Sequence, residues 1–416
     1  MNIINEIMRA AYQTFFSILF CILLIPLSLI IRKKRNRIVV ISRQNGLFID
    51  NAKHFFLYLH NKAEPRPEVV LLVSCNYPSN ELSDSHLPVY PYPGLKAASF
   101  LLSANLVIVD SAEWIEQGKF HLAFGSKVIQ LWHGAPLKQI EIPLFLDRIS
   151  KYPRPVQFLI KMYKLISGRH AAYELVVSTS TYFTQKAFKP AFRARRFIES
   201  GYPRNDVFFS TREKDFNSPL FINTDITVIK EIISRKKSGM KIFLYAPTFR
   251  KDLNDHFSKD IFDLMRLDKF ARQHKLFIVL KLHPVMADKL PPGGYTNIVS
   301  YKATNDIYPA LNLFDVLITD YSSIYFDFLL LGRPILFFPY DMENYIGNDR
   351  SLLFDYKTMA PGPLCMKQDQ VEHELLQITS DQYTSQRKHV TDLVFSHKDN
   401  KSSERLWAVL KSDYII

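Results

Sequence analysis

Cysteine is scarce: three in 416 residues, Cys21, Cys75 and Cys365, odd in number and far apart. That argues against a disulfide framework, gives no spacing for a structural zinc site, and suits a reducing compartment. Glycine is sparse as well, 13 with no period, which excludes a collagen-like repeat. Charged residues make up 22% against 47% hydrophobic, so the chain is not of the disordered class. The length suggests two or three domains, each with its own core.

Acidic residues are in deficit: 53 Lys and Arg face 40 Asp and Glu, a net charge of +13 that favours anionic partners. Part of the excess sits beside the longest uncharged run. The 22 residues between Arg9 and Arg32 carry no charge, and Arg32, Lys33, Lys34, Arg35 and Arg37 follow at once. A cleaved signal peptide would have its basic residues before the apolar run. A buried soluble helix would show some polar face. The segment reads instead as a membrane anchor, long enough nearly to cross a core of about 30 Å, with Pro26 leaving an interfacial geometry open. The positive-inside rule then places residue 32 onward in the cytoplasm.

From Ile38 the pattern changes to short, predominantly apolar runs: Ile38–Ile41, Val69–Val73, Leu106–Val109, Lys127–Leu131 and Leu175–Val177. A second series comprises Ile242–Tyr245, Phe277–Leu282, Val316–Thr319 and Ile335–Phe338. Runs without alternation fit strands buried on both faces, and the spacers suit crossover helices. The fold class is therefore α/β, with two parallel-sheet domains joined near residues 215–238. The expected organisation is an anchor and basic flank over 1–37, an α/β domain over 38–215, a second over 238–400, and a C-terminal helix or tail over 401–416.

In open α/β sheets ligands bind beyond the carboxyl ends of strands. Leu131 runs into Trp132-His133-Gly134-Ala135-Pro136-Leu137-Lys138, and Leu282 into His283-Pro284. Tyr245 leads to Ala246-Pro247-Thr248-Phe249-Arg250, and Thr319 to Asp320-Tyr321-Ser322-Ser323. Ser322 and Ser323 open a short helix that stops near Gly332 and Pro334. Its first turn offers N–H groups to a phosphate, and the two serines are either extra donors or plain caps. His133 and His283, at strand ends in different domains, are set to share one cleft, one accepting a proton and the other donating to an anion. A structural role for either is the competing reading.

At these residues the chain resembles the CDP-glycerol glycerophosphotransferases of teichoic acid and capsule synthesis. The matching pieces fall in family order: residues 132–138, Ser178 to Phe188, Gly-Tyr-Pro-Arg-Asn-Asp at 201–206, 245–250, Lys-Leu-His-Pro at 281–284, 320–323, Arg333-Pro334 and Pro-Gly-Pro at 361–363. Departures are mild: Ala135 stands for the usual Thr, Phe249 for Trp, Lys281 for Arg, and an Arg-Gly pair survives only loosely around Asp349-Arg350.

The resemblance implies a GT-B-like fold of two Rossmann-like domains whose sheets face a cleft. It implies transfer of glycerol phosphate, or a related polyol phosphate, from a CDP donor to a hydroxyl of a lipid-linked glycan or growing polymer, with release of CMP. His133 is then the candidate general base, with His283 the second catalytic histidine. Thr248, Arg250, Ser322 and Ser323 are donor-binding candidates at the pyrophosphate, and Asp327 at a ribose hydroxyl unless it is a plain helix residue. Gly134, Lys138, Arg204, Asn205 and Asp206 are candidates for the cleft and acceptor, with a helix cap the competing role of Asn205 or Asp206. No Asp-x-Asp pair or zinc-type cluster is present, so no protein-held metal is expected, and Mg²⁺ carried by the donor pyrophosphate stays open.

Residues 148–169 hold Arg148, Lys151, Arg154, Lys161, Lys164 and Arg169 among apolar residues, either a membrane-surface helix or a solvated one. Lys186, Lys189, Arg193, Arg195 and Arg196 form a second basic cluster, either solvated or facing an anionic polymer. Expected partners are the CDP-polyol donor, the lipid-linked acceptor and the membrane lipid surface, at the cytoplasmic face of a bacterial inner or plasma membrane. A nucleotide-sugar glycosyltransferase or epimerase of GT-B type is the alternative. No nucleic-acid-binding motif appears, and no nucleic-acid partner is expected.

Overall fold

The computed structural model describes residues 3–75, 77, 82, 85–210, 215–250, 257–258, 260–287, 293–342, 345, 351–378 and 382–415. The Asp349-Arg350 pair lies outside them. The chain begins with α1 (Ile3–Ile30), β1 (Lys34–Ile41), α2 (Asp50–Asn61), β2 (Glu68–Ser74), β3 (Val89–Tyr92), α3 (Leu95–Ser103), β4 (Ala104–Val109) and β5 (Lys127–Gln130). Next come α4 (Glu141–Ser150), α5 (Arg154–Ile166), β6 (Tyr173–Val177) and β7 (Ala194–Ile198). The second series has α6 (Ile226–Lys237), β8 (Lys241–Ala246), α7 (Leu264–Gln273), β9 (Leu276–Leu280), β10 (Ile298–Ser300), β11 (Val316–Thr319), α8 (Ile324–Leu329) and β12 (Ile335–Phe337). It closes with α9 (Gln368–Gln377), α10 (Thr384–Val394) and α11 (Ser402–Leu410).

Every strand pairing is parallel, in two sheets ordered β3-β2-β1-β4-β5-β6-β7 and β10-β9-β8-β11-β12. The fold is thus α/β and GT-B-like. Central strands are buried along their length, as the unbroken runs require: Leu106 to Val109 and Ile242 to Leu244 are all inaccessible to solvent. Each such Val, Leu or Ile contributes about 1.5–3 kcal/mol relative to an exposed position.

The strands that the apolar-run pattern misses are β3, β7 and β10, which lie at sheet edges. Val-Tyr-Pro-Tyr and Ala-Arg-Arg-Phe-Ile carry no continuous apolar run because an edge has one wet side, and β10 is only three residues long. Arg195 and Arg196 of the second basic cluster therefore sit on edge strand β7, ion-paired to Glu174 and Asp413. The basic stretch 148–169 divides between α4 and α5, which break at Lys151 to Pro153.

The chain forms two compact units, Met1–His133 with Gln139–Asp206 and Asp399–Ile416, and Gly134–Lys138 with Val207–Lys398. The chain passes between the units after His133, Lys138, Asp206 and Lys398, and none of these points lies within 215–238. Residues 401–416 carry α11, which belongs to the first unit, with Leu406, Trp407 and Leu410 buried and Trp407 Nε1 donating to the Glu64 carbonyl at 3.2 Å.

Residues Ala11–Ile30 are long and apolar enough to cross a membrane. One side of α1 nevertheless packs on the first unit. Ser28 Oγ lies 2.8 Å from the carbonyl oxygens of Leu122 and Phe124, Phe20 meets the His121 ring at 5.6 Å, and Lys33 donates to Ser28 and to the Leu102 carbonyl. The opposite side leaves Tyr12, Phe15, Ile22, Leu23 and Ile30 exposed.

Candidate active site

In the first unit the strand ends after β1, β4 and β5 gather a buried polar cluster. His133 Nδ1 lies 2.9 Å from the carbonyl oxygen of Asp110, the residue that follows β4. A carbonyl only accepts, so Nδ1 carries the proton and Nε2 keeps its lone pair. Arg204 donates to the His133 carbonyl at 3.0 Å and to the Asp50 carboxylate. Arg43 pairs with the other Asp50 oxygen at 3.4 Å. Asn51 donates to the Trp132 carbonyl at 2.8 Å and accepts from the Arg204 amide at 3.2 Å.

Burial and the neighbouring Arg43 push His133 down to about 4, so its imidazole is neutral at physiological pH. Burial alone would raise Asp50, but Arg204 and Arg43 beside it hold its carboxyl below the ordinary value. Asp110 goes the other way, pushed well up by burial and by Asp50, although its carboxylate accepts from the amides of Arg43 at 2.6 Å and Ala52 at 3.2 Å.

In the second unit the adjacent strands β9, β8 and β11 bring His283, Thr248 and the Asp320 to Ser323 turn to one sheet edge. The Thr248 amide donates to Asp320 at 2.8 Å. The Thr248 hydroxyl is buried with no hydrogen-bond partner among the described residues. Ser322 and Ser323 are half-buried, and neither side chain caps α8, which leaves both hydroxyls available. His283 is exposed, its ring 4.4 Å from that of Phe249.

Five candidates are enclosed or engaged within the fold itself. Arg250 is clamped: its guanidinium donates to Asp341 at 2.7 and 3.0 Å, to Asp320 at 2.7 Å and to the Thr248 carbonyl at 2.6 Å. It shapes the turn that carries Thr248 and is not a free pyrophosphate ligand. Asp327 is fully buried and accepts from the Tyr308 hydroxyl at 2.8 Å, which removes it from a ribose-binding role. Asp206 caps α11, accepting from the amides of Ser402 and Ser403 at 2.9 Å and from the Ser403 hydroxyl at 2.7 Å. Asn205 is buried beside it. Arg204 supports His133 and is 2% exposed, too enclosed to meet an acceptor.

Gly134 and Lys138 fall with the second unit, where Lys138 donates to the Tyr345 hydroxyl and Leu353 donates to the Leu137 carbonyl at 2.9 Å. Gly362 explains the Pro-Gly-Pro stretch: a Cβ there would stand 1.9 Å from the Ile335 carbonyl, so only glycine lets this segment lie along β12. Sequence reasoning missed Asp50, Asp110, Asp320 and Asp341 as the carboxylates of these clusters. Asp110 and Asp320 directly follow apolar runs and were legible as strand-end residues, whereas nothing local marks Asp50 or Asp341. Among the described residues no three His, Cys, Asp or Glu side chains gather as a metal site.

Two parallel-sheet units with polar clusters at their strand ends define a GT-B-like transferase. The family model of CDP-glycerol:poly(glycerophosphate) glycerophosphotransferases matches residues 23–411, and the chain belongs to that family. It is similar to the teichoic acid poly(glycerol phosphate) polymerase of Bacillus spizizenii, 28% identical over 380 residues, with 87% of each chain covered. The polymerase of the same name from Bacillus subtilis is 27% identical over 358 residues, 84% of this chain but 45% of the relative, so this chain spans less than half of that protein. A solved structure of the wall teichoic acid polymerase TagF, soaked with CDPG, superposes with a TM-score of 0.72 at 22% identity over 100% of this chain and 98% of that one.

Proposed function

We propose that the protein transfers glycerol phosphate, or a related polyol phosphate, from a CDP-linked donor to a hydroxyl of a lipid-linked glycan or growing teichoic acid polymer. The observation that carries this reading is the 2.9 Å approach of His133 Nδ1 to the Asp110 carbonyl oxygen, which engages an Nδ1 proton and leaves Nε2 as a base. The acceptor oxygen attacks the β-phosphorus, its proton passes to Nε2, the bridging P–O bond breaks, and CMP leaves with the electron pair. The Ser322 and Ser323 hydroxyls, Thr248 and His283 hold the donor diphosphate, where charge develops. That diphosphate brings any Mg²⁺ the reaction uses, and no cofactor is held by the protein.

The reaction takes place at the cytoplasmic face of the membrane. The membrane is supported by the exposed apolar side of α1 and by Leu146, Phe158 and Leu165, also exposed on α4 and α5 among Arg148, Lys151 and Lys161, and its cytoplasmic side by the basic residues Arg32, Lys33, Lys34, Arg35 and Arg37 that follow α1. Incubation with CDP-glycerol, CDP-ribitol and UDP-sugars in turn, with a lipid-linked acceptor, tests the reading. CMP release from a CDP-polyol is expected; UDP release alone would make the protein a nucleotide-sugar enzyme.

A further inference from the structure

His133 stands on a strained backbone. Trp132 before it has φ 56° and Asp50 has φ 64°, left-handed values that side-chain-bearing residues adopt only where their surroundings compel them. The same groups supply the compulsion. Arg204 joins the Asp50 carboxylate to the His133 carbonyl, and Asn51 joins the Trp132 carbonyl to the Arg204 amide, which closes a ring of contacts around the strand end. Asp50 is 6% and Arg204 2% exposed, so neither is placed to touch a substrate.

We propose that Asp50 and Arg204 are positioning residues for the transfer: Arg204 fixes the backbone that aims the imidazole, and Asp50 supplies the negative charge that steadies the imidazolium once Nε2 has taken the acceptor proton. This rests on the reading of His133 as the base. The charged groups acting on that ring are Arg43 beyond β1, Asp50 on α2 and Arg204, while Asp110 beyond β4 meets it through its backbone carbonyl. Burial and Asp50 push the Asp110 carboxyl up, while Arg204 and Arg43 hold Asp50 down, so Asp50 carries the negative charge over the wider pH range. Its charge opposes those of Arg43 and Arg204 at the ring.

The test measures CMP release from CDP-glycerol against pH for the full chain and for Asp50→Asn, Asp50→Glu, Arg204→Met and Arg204→Lys, alongside NMR titration of the His133 imidazole. Asp50→Asn and Arg204→Met are each expected to lower kcat by about 10–100-fold, part of the ~10²–10⁴ that a base supplies, with KM for the donor little changed. The acid limb of the rate profile and the imidazole titration should move down in Asp50→Asn and up in Arg204→Met, each by on the order of one pH unit. Asp50→Glu should restore the limb. Limbs that stay in place, or move together, overturn the proposal and leave the pair as scaffold. Should either neutral variant fail to fold, the His133 imidazole titrations of Asp50→Glu and Arg204→Lys decide: positions equal to wild type support it, and loss of the His133 shift overturns it. Wild-type turnover in His133→Ala is the separate result that removes the base itself.

Discussion

Arg250 and the serine pair sit at the same sheet edge and respond to substitution in different ways. Arg250→Met leaves Asp320 buried and Asp341 half-buried without their cation, and breaking the buried Arg250–Asp320 pair in this way costs about 3–5 kcal/mol. The expected result is a large fall in melting temperature, with donor affinity lost along with the fold. Ser322→Ala and Ser323→Ala remove hydroxyls that cap nothing. They should leave the melting curve in place while CDP-glycerol affinity, read by calorimetry, falls by about 1.5–3 kcal/mol for each hydrogen bond to a charged oxygen. His133→Ala should do the reverse of the serine changes, costing about 10²–10⁴-fold in turnover with donor affinity kept. Because burial holds His133 down to about 4, its protonation should not limit the rate between pH 6 and 8.

Two helices at opposite ends of the chain depend on single features of the first unit. The N-terminus of α11 is satisfied by Asp206, whose carboxylate accepts three hydrogen bonds. Asp206→Ala should cost about 0.5–2 kcal/mol of stability and open the Lys398–Ser402 region to proteolysis, measured by denaturant titration and limited digestion. For α1 the outward side chains carry the interaction. Replacing Phe15 and Ile22 together with aspartate should abolish flotation with anionic vesicles and leave the fold intact, since both point away from the unit. Removing residues 1–37 is a different experiment, because β1 begins at Lys34 and α1 covers Leu122 and Phe124. That truncation should destabilise the unit, whereas the strand pattern by itself places the first strand only at Ile38.

Across the whole molecule, buried lysines govern the alkaline behaviour. Burial lowers Lys33, Lys119 and Lys164 to about 8, and all three belong to the first unit. Between pH 8 and about 10.4 the unfolded chain holds protons there that the folded chain has released, so stability rises with pH over this window. Below pH 8 the desolvation penalty is present in full. A melting temperature that climbs from pH 8 to pH 10, with a shallower climb in Lys119→Met, is the expected outcome.

Sequence determined the sheets, because strands buried on both faces must be apolar without interruption, and that pattern is readable one residue at a time. It also determined that His133, Thr248, His283 and the two serines lie at carboxyl ends of strands, since each stands within four residues after such a run. Tertiary structure decided what Arg250, Asp206, Asp327 and Arg204 do. Each is a polar residue whose local setting is equally good for a ligand and for an internal partner. The choice depends on whether a carboxylate, an amide or a tyrosine from a distant part of the chain arrives within hydrogen-bond distance: Asp341 for Arg250, Ser402 for Asp206, Tyr308 for Asp327, Asp50 for Arg204. Edge strands and the route of the chain between units were likewise settled by packing, because neither leaves a periodic trace in the order of residues.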